Sequence, residues 1–240
     1  VVELTVGQAL ACIAPGEPII TICHPKWWPP WKPLPCLGIK GWQLVQGYKP
    51  WHVYTHVGRY LGDGKLFEVT TPKARIIDVR EFLDGADFRL AQRIVHGKPF
   101  RFSDDALRYM WEAAEKLNGT SYDVGQLFNH VVMDLYGVPL DGWTRITDLS
   151  ANQRVCSAGD SYVEEYARRA IAGLLRKSIR LQPTATLVGS GLLASVEQWP
   201  RAFALPYDGP VDGTYIHTER VKPADYGKHD DYRIYARSVS

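Results

Sequence analysis

The chain is 240 residues long, enough for one sizeable hydrophobic core or, as a less economical arrangement, two small ones. Its 28 basic and 26 acidic residues leave a net charge of +2 with no basic block, so nucleic acid is not an obvious partner. With 45% hydrophobic and 22% charged residues it has the composition of an ordinary globular protein, and no apolar run approaches membrane-spanning length.

Val1 to Ile13 carries Glu3 and lacks a basic leading region, so it does not read as a secretory signal. A cytoplasmic or virion-associated protein is expected over a classically secreted one. Pro15-Gly16 precedes Glu17 to Ile22, the expected first strand. Residues 24–35 hold five prolines with Trp27, Trp28 and Trp31, which forbids regular structure and predicts a loop with exposed indole surface. Such a loop could fold over the core or grip a partner protein or a glycan.

Trp51 to Leu61, rich in β-branched and aromatic residues, predicts a strand, and Lys65 to Thr70 predicts its hairpin partner. A three-residue loop, Gly62-Asp63-Gly64, would join them with Gly64 in the left-handed position. That register sets Leu61 against Lys65 and Gly58 against Glu68. A further strand is expected over Ile76 to Val79. Ser103 then caps a helix with Asp104 and Asp105 in its first turn, and Leu107, Met110, Trp111, Ala114 and Leu117 form its inner stripe up to Asn118-Gly119. A second helical segment starts at Asp123 and closes at Gly137. A third follows Val155, with Val163, Tyr166, Ala167, Ala170 and Ile171 inward and Gly173 as its stop. The tail from Asp208 to Ser240 is polar and tyrosine-rich, and is expected to pack on the main domain or to contact a partner.

The chemistry concentrates in three residues. His56 lies one diagonal step from Glu68 on one face of the predicted hairpin, about 7–8 Å at Cα, and Gly58 places no side chain between them. Cys156 falls where a helix begins, a position whose unpaired N–H groups and dipole favour a thiolate. A thiol, an imidazole and a carboxylate are the parts of a cysteine nucleophile, its base and the group that orients the base. The competing readings are a surface His–Glu pair and an inert buried cysteine. His52 and His56 form an H-x-x-x-H pair, but on a strand they would stand roughly 13 Å apart, too far to share a zinc ion. No metal or other cofactor is called for. Of the remaining cysteines, Cys23 and Cys36 flank the Trp/Pro loop and could pair; four cysteines with Cys12 and Cys156 allow three connectivities, and free thiols are expected at this length.

The order of these elements resembles that of the circularly permuted papain-like hydrolases, relatives of NlpC-type cell-wall peptidases and lecithin:retinol acyltransferase-like enzymes. The matching residues are the strand to Ile22, His56-Val57-Gly58, Glu68, Gly119-Thr120-Ser121-Tyr122-Asp123, Val155-Cys156-Ser157, and Gln182-Pro183 with Gly191 to Ser195. Together they span Pro15 to Phe203. The His and the third polar residue precede the Cys, and the twelve-residue His-to-Glu spacing is similar too. The Trp/Pro loop and the tail have no counterpart in the family, and Ser157-Ala158-Gly159-Asp160 replaces the small-then-aliphatic residues usual after the cysteine.

The resemblance implies an α+β domain, an antiparallel sheet against helices with the nucleophile at a helix N-terminus. It implies Cys156 as nucleophile, His56 as base, Glu68 as orienter, and Tyr122 and Ser157 near the substrate or oxyanion. The reaction would be acyl transfer to water, with a peptide amide of the bacterial cell wall as substrate. Two rivals stand beside it. A lipid acyl hydrolase or acyltransferase would show an apolar rim around the cleft. A structural module of a larger assembly such as a phage tail would show a buried cysteine or a blocked cleft.

Overall fold

The computed structural model describes residues 1–22, 34–45, 47–84, 86–95, 97–122, 156–181, 223–228 and 232–239. In chain order these form β1 (Val2–Leu4), α1 (Val6–Cys12), β2 (Pro18–Ile22), α2 (Leu34–Val45), a 3-10 turn (Trp51–Val53), β3 (His56–Gly62), β4 (Lys65–Val69) and β5 (Ala74–Asp78). There follow α3 (Val79–Leu83), β6 (Asp87–Val95), β7 (Lys98–Pro99), α4 (Asp104–Leu117), α5 (Cys156–Leu181), α6 (Asp225–Lys228) and β8 (Tyr232–Ser238). The Trp27/Trp28/Trp31 segment, Cys23, the helix expected from Asp123, the Gln182 to Ser195 segment and residues 208–222 of the tail lie outside the described residues.

The protein is α+β. One sheet runs β1-β8-β6-β2-β3-β4-β5, with β7 hairpinned onto β6. Its pairings are antiparallel except for β1 with β8. Period-two alternation gives the sheet two apolar faces, each of which needs a cover. On one face Leu61, Phe67, Val69 and Ala74 pack with Met110 and Ala114 of α4 and with Val163, Ala167 and Ile171 of α5. On the other, Ile19, Leu66, Phe88 and Leu90 pack with Ala9 of α1 and with Phe82 and Leu83 of α3. The tail's strand β8 sits inside the sheet, between β1 and β6.

Several sequence expectations shift in detail. The strand expected from Trp51 begins at His56, because Trp51–Val53 coils into a 3-10 turn capped at Pro50. The hairpin loop is two residues, Asp63-Gly64, both at positive φ (50° and 72°), and Gly62 pairs with Lys65 across a bulge at Leu61. That primed turn follows the right-handed twist of the strands. The bulge absorbs the difference, so Tyr60 still faces Leu66 and Gly58 still faces Glu68. The Trp/Pro loop is shorter than expected, since Leu34 already opens α2 and Pro35 falls in its first turn, where a missing N–H costs no helical bond.

Ser103 caps α4 as expected, its Oγ accepting from Ala106 N at 3.3 Å. Gly173 does not end the cysteine helix. α5 continues to Leu181, two residues short of Pro183. An interior glycine costs only about 1 kcal/mol, and the Leu, Arg and Lys residues that follow favour helix enough to offset it.

Candidate active site

His56 is the first residue of β3, paired with Thr21 of β2. Its Nε2 lies 2.7 Å from Glu68 Oε2. Glu68 sits in β4 directly opposite Gly58. The diagonal geometry expected from the hairpin is therefore present, though Gly58 serves a second purpose. A Cβ there would lie 2.7 Å from Leu66 Cδ2 and 3.0 Å from Phe82 Cε2. Its bare Cα lets Phe82 approach the sheet and lie against the imidazole, with ring centroids 5.5 Å apart and planes tilted by 37°.

Cys156 opens α5 and lies near enough to His56 to act on its imidazole. With Nε2 turned to Glu68, Nδ1 is the ring nitrogen that remains for proton transfer. Helix α5 reaches this position by packing across β3 and β4. Cys156 is 4% exposed, in a cluster with Ile20, Ile22, Val57 and Ala91 of the sheet, Tyr54, and Tyr226 and Tyr232 of the tail. The His56 side chain keeps 23% exposure and Glu68 keeps 5%.

Burial by itself would push the His56 pKa down. Interactions with Cys156, joined by Glu68, outweigh burial and raise it from 6.5 to about 10. Burial likewise pushes Glu68 up, but His56 and Arg75 more than compensate and hold it below its ordinary value of 4.5. The arrangement thus favours the protonated imidazole, with the ionised Glu68 carboxylate behind it and the Cys156 side chain nearby.

Arg75 is a member of this site that sequence reasoning missed. It stands directly opposite Glu68 in β5. Its Nε and NH2 reach Glu68 Oε1 at 2.7 and 2.6 Å, leaving Oε2 for the imidazole. NH1 reaches Glu81 Oε1 at 2.8 Å, between side chains 42% and 56% exposed. That outer pair contributes about 0–1 kcal/mol, so the contact with the buried carboxylate is the important one. The signal was available: starting β5 at Ala74 puts opposite charges face to face across a hairpin, a recurring cross-strand pair.

Ser157 is buried in the first turn of α5 beside Cys156. Tyr122 packs on the Phe67/Met110/Val163 cluster, with its N–H bonded to Pro72 O at 3.0 Å. It belongs to a different cluster from Cys156. His52 lies on the 3-10 turn and not on the strand of His56. Among the described residues no group of three His, Cys, Asp or Glu side chains is arranged to hold a metal, and no helix is long and apolar enough to cross a membrane. Comparison of the chain with protein-family models and with curated proteins finds no match.

Proposed function

We propose that this protein is a thiol hydrolase with a circularly permuted papain-like domain that cleaves amide bonds, acting as a peptidoglycan peptidase or amidase of the bacterial cell wall. The observation that carries the reading is the imidazole of His56 bound to Glu68 at 2.7 Å through Nε2, with Cys156 near enough to act on the ring. The chain order supports it too: histidine strand, carboxylate strand, then cysteine helix.

In this reading the Cys156 thiolate attacks the substrate carbonyl carbon, and backbone N–H groups at the start of α5 meet the developing oxyanion. The C–N bond breaks as the His56 imidazolium gives its proton to the leaving amine, leaving a thioester on Cys156. His56 then takes a proton from water, which attacks the thioester. The carboxylic product leaves, and the proton on His56 restores the starting ion pair. Glu68, ionised and pinned by Arg75, keeps the ring oriented throughout. Preference for an amide in cell wall comes from the resemblance of Val155-Cys156-Ser157 and Gly119 to Asp123 to the cell-wall peptidases.

The test is incubation of the protein and its Cys156→Ala variant with purified peptidoglycan and, separately, with phospholipid vesicles. Cysteine-dependent appearance of new muropeptide ends is expected. Cysteine-dependent release of fatty acid without new muropeptide ends would replace this reading with lipid acyl hydrolysis. One observation favours a second reading, a structural or binding module: the 4% exposure of Cys156. Absence of product from both substrates, with the fold intact, would establish it over the hydrolase.

A further inference from the structure

Beneath the site lies a buried ionic cluster that the chemistry above does not use. Arg59, Arg93, Asp160 and Glu164 are all less than 8% exposed. Arg59 Nε and NH2 reach Asp160 Oδ1 and Oδ2 at 2.8 and 2.6 Å, a two-pronged pair. Arg59 NH2 also lies 2.9 Å from Glu164 Oε2, and its NH1 donates to Gly16 O at 2.8 Å. Arg93 NH1 reaches Glu164 Oε1 at 2.7 Å. The tail closes the cluster, with the Tyr226 hydroxyl 2.5 Å from Asp160 Oδ2 and the Tyr232 hydroxyl 2.7 Å from Glu164 Oε2.

The placement of this cluster in the chain is informative. Arg59 follows His56 by three residues on β3, about 10 Å along the strand. Asp160 follows Cys156 by four residues on α5, about 6 Å along the helix axis and on the same helical face. We propose that the Arg59–Asp160 pair sets the alignment of Cys156 with His56, making both residues positioning residues for the thiol chemistry; this inference rests on the hydrolase reading above.

The physical argument concerns direction. The apolar stripe of α5, Val163, Ala167 and Ile171, holds the helix on the sheet, but apolar contact is non-directional and tolerates small slides and rotations. A nucleophile and its base do not tolerate them, since misplacement by about 1 Å can cost about 100-fold in rate. A two-pronged guanidinium–carboxylate contact fixes both the translation and the rotation of the first turn of α5 against β3. Stability alone gives no reason for charges here, because a well-packed apolar pair of similar volume is commonly as stable or more so. Alignment does give one.

The experiment compares wild type, Asp160→Asn, Tyr226→Phe and the apolar double variant Arg59→Met with Asp160→Leu. Folding is checked by circular dichroism. The dyad is read without substrate, by far-ultraviolet thiolate absorbance (each protein minus its Cys156→Ser counterpart) and by NMR titration of the His56 ring. We expect the thiolate signal at neutral pH to fall at least tenfold in the folded double variant and in Asp160→Asn, and to fall less in Tyr226→Phe. A folded double variant that titrates like wild type would show the pair to be merely structural and overturn the inference. Should Asp160→Asn and the double variant not fold, an unchanged titration in Tyr226→Phe would overturn it equally. A wild type with no thiolate at neutral pH would instead overturn the dyad itself, and this inference with it.

Discussion

Glu68 faces Arg75 squarely across the β4–β5 pair and reaches His56 diagonally across β3–β4, so a single buried carboxylate is shared between an imidazole and a guanidinium. Each oxygen has its own partner, which leaves the carboxylate little freedom to turn. Glu68→Gln keeps the size but removes the charge and presents a donor in place of an acceptor to one of the two partners. Turnover on any substrate identified is expected to drop roughly 10²–10⁴-fold, the usual contribution of a positioned proton-transfer system, with the fold retained. Steady-state kinetics with a circular dichroism control checks this, and unchanged turnover would mean another group orients His56.

Folding stability should depend on pH through His56 and Glu68. His56 has its pKa raised from 6.5 to about 10, so its contribution is complete below about pH 6.5 and is lost as pH rises toward 10. Glu68 is lowered from 4.5, so its contribution is complete above about pH 4.5 and is lost as pH falls through the lowered value. Urea midpoints across this range should show an alkaline decline that His56→Gln flattens and an acid decline that Glu68→Gln flattens. An alkaline decline of the same size in His56→Gln would assign it to other groups.

Cys156 is buried and Cys12 is exposed, so access and activation make opposite predictions for alkylation. In the hydrolase reading activation wins with a small reagent near neutral pH, because the thiolate is the reactive form and an imidazole beside a helix start favours it. Mass-spectrometric mapping after limited iodoacetamide treatment should find Cys156 modified first among the four cysteines, and His56→Ala should abolish that priority. Protection of Cys156 while Cys12, Cys23 or Cys36 reacts would mark it as a structural thiol.

Gly58→Ala tests the crowding around the base. The added methyl would lie 2.7 Å from Leu66 Cδ2, 3.0 Å from Phe82 Cε2 and 3.1 Å from the backbone oxygen of Phe67, which cannot easily yield. Overpacking of this kind costs about 1–3 kcal/mol, and displacement of Phe82 should disturb the ring it lies against. A lowered denaturation midpoint with an altered His56 titration is expected; wild-type values for both would show that Phe82 and Leu66 adjust without cost.

The Arg59–Asp160 pair also has a stability signature. Arg59→Met leaves Asp160 buried with Tyr226 as its remaining hydrogen-bond partner named above, and Glu164 with Arg93 and Tyr232. Loss of one member of a buried pair costs about 3–5 kcal/mol, whereas loss of both is far milder. A double-mutant cycle measured by urea denaturation should show this non-additivity. Additive single effects would mean the two residues act independently.

Local pattern alone carried the β3–β4 pairing, the Ser103-capped helix and the start of α5, because hydrophobic period, turn glycines and caps act over a few residues. The diagonal relation of His56 to Glu68 was legible for the same reason: two residues twelve apart on one hairpin are placed by its register. The meeting of Cys156 with His56 could be expected only by resemblance, since a hundred residues separate them and no local rule brings a helix start to a strand start. Tertiary packing decided that contact, and it decided the rest of the site's support. Arg75 joins the site through the β4–β5 register, which sets it opposite Glu68 because β5 begins at Ala74. Arg59, Asp160 and Glu164 are joined in one buried cluster only by the packing of sheet against helix. Tyr226 and Tyr232 came from a tail expected to lie on the domain, yet β8 entered the sheet with the Tyr232 hydroxyl at Glu164, and α6 before it set the Tyr226 hydroxyl at Asp160. Side chains are paired through space by whichever backbones pack together, and that choice is made by the burial of both sheet faces, which no single stretch of sequence contains.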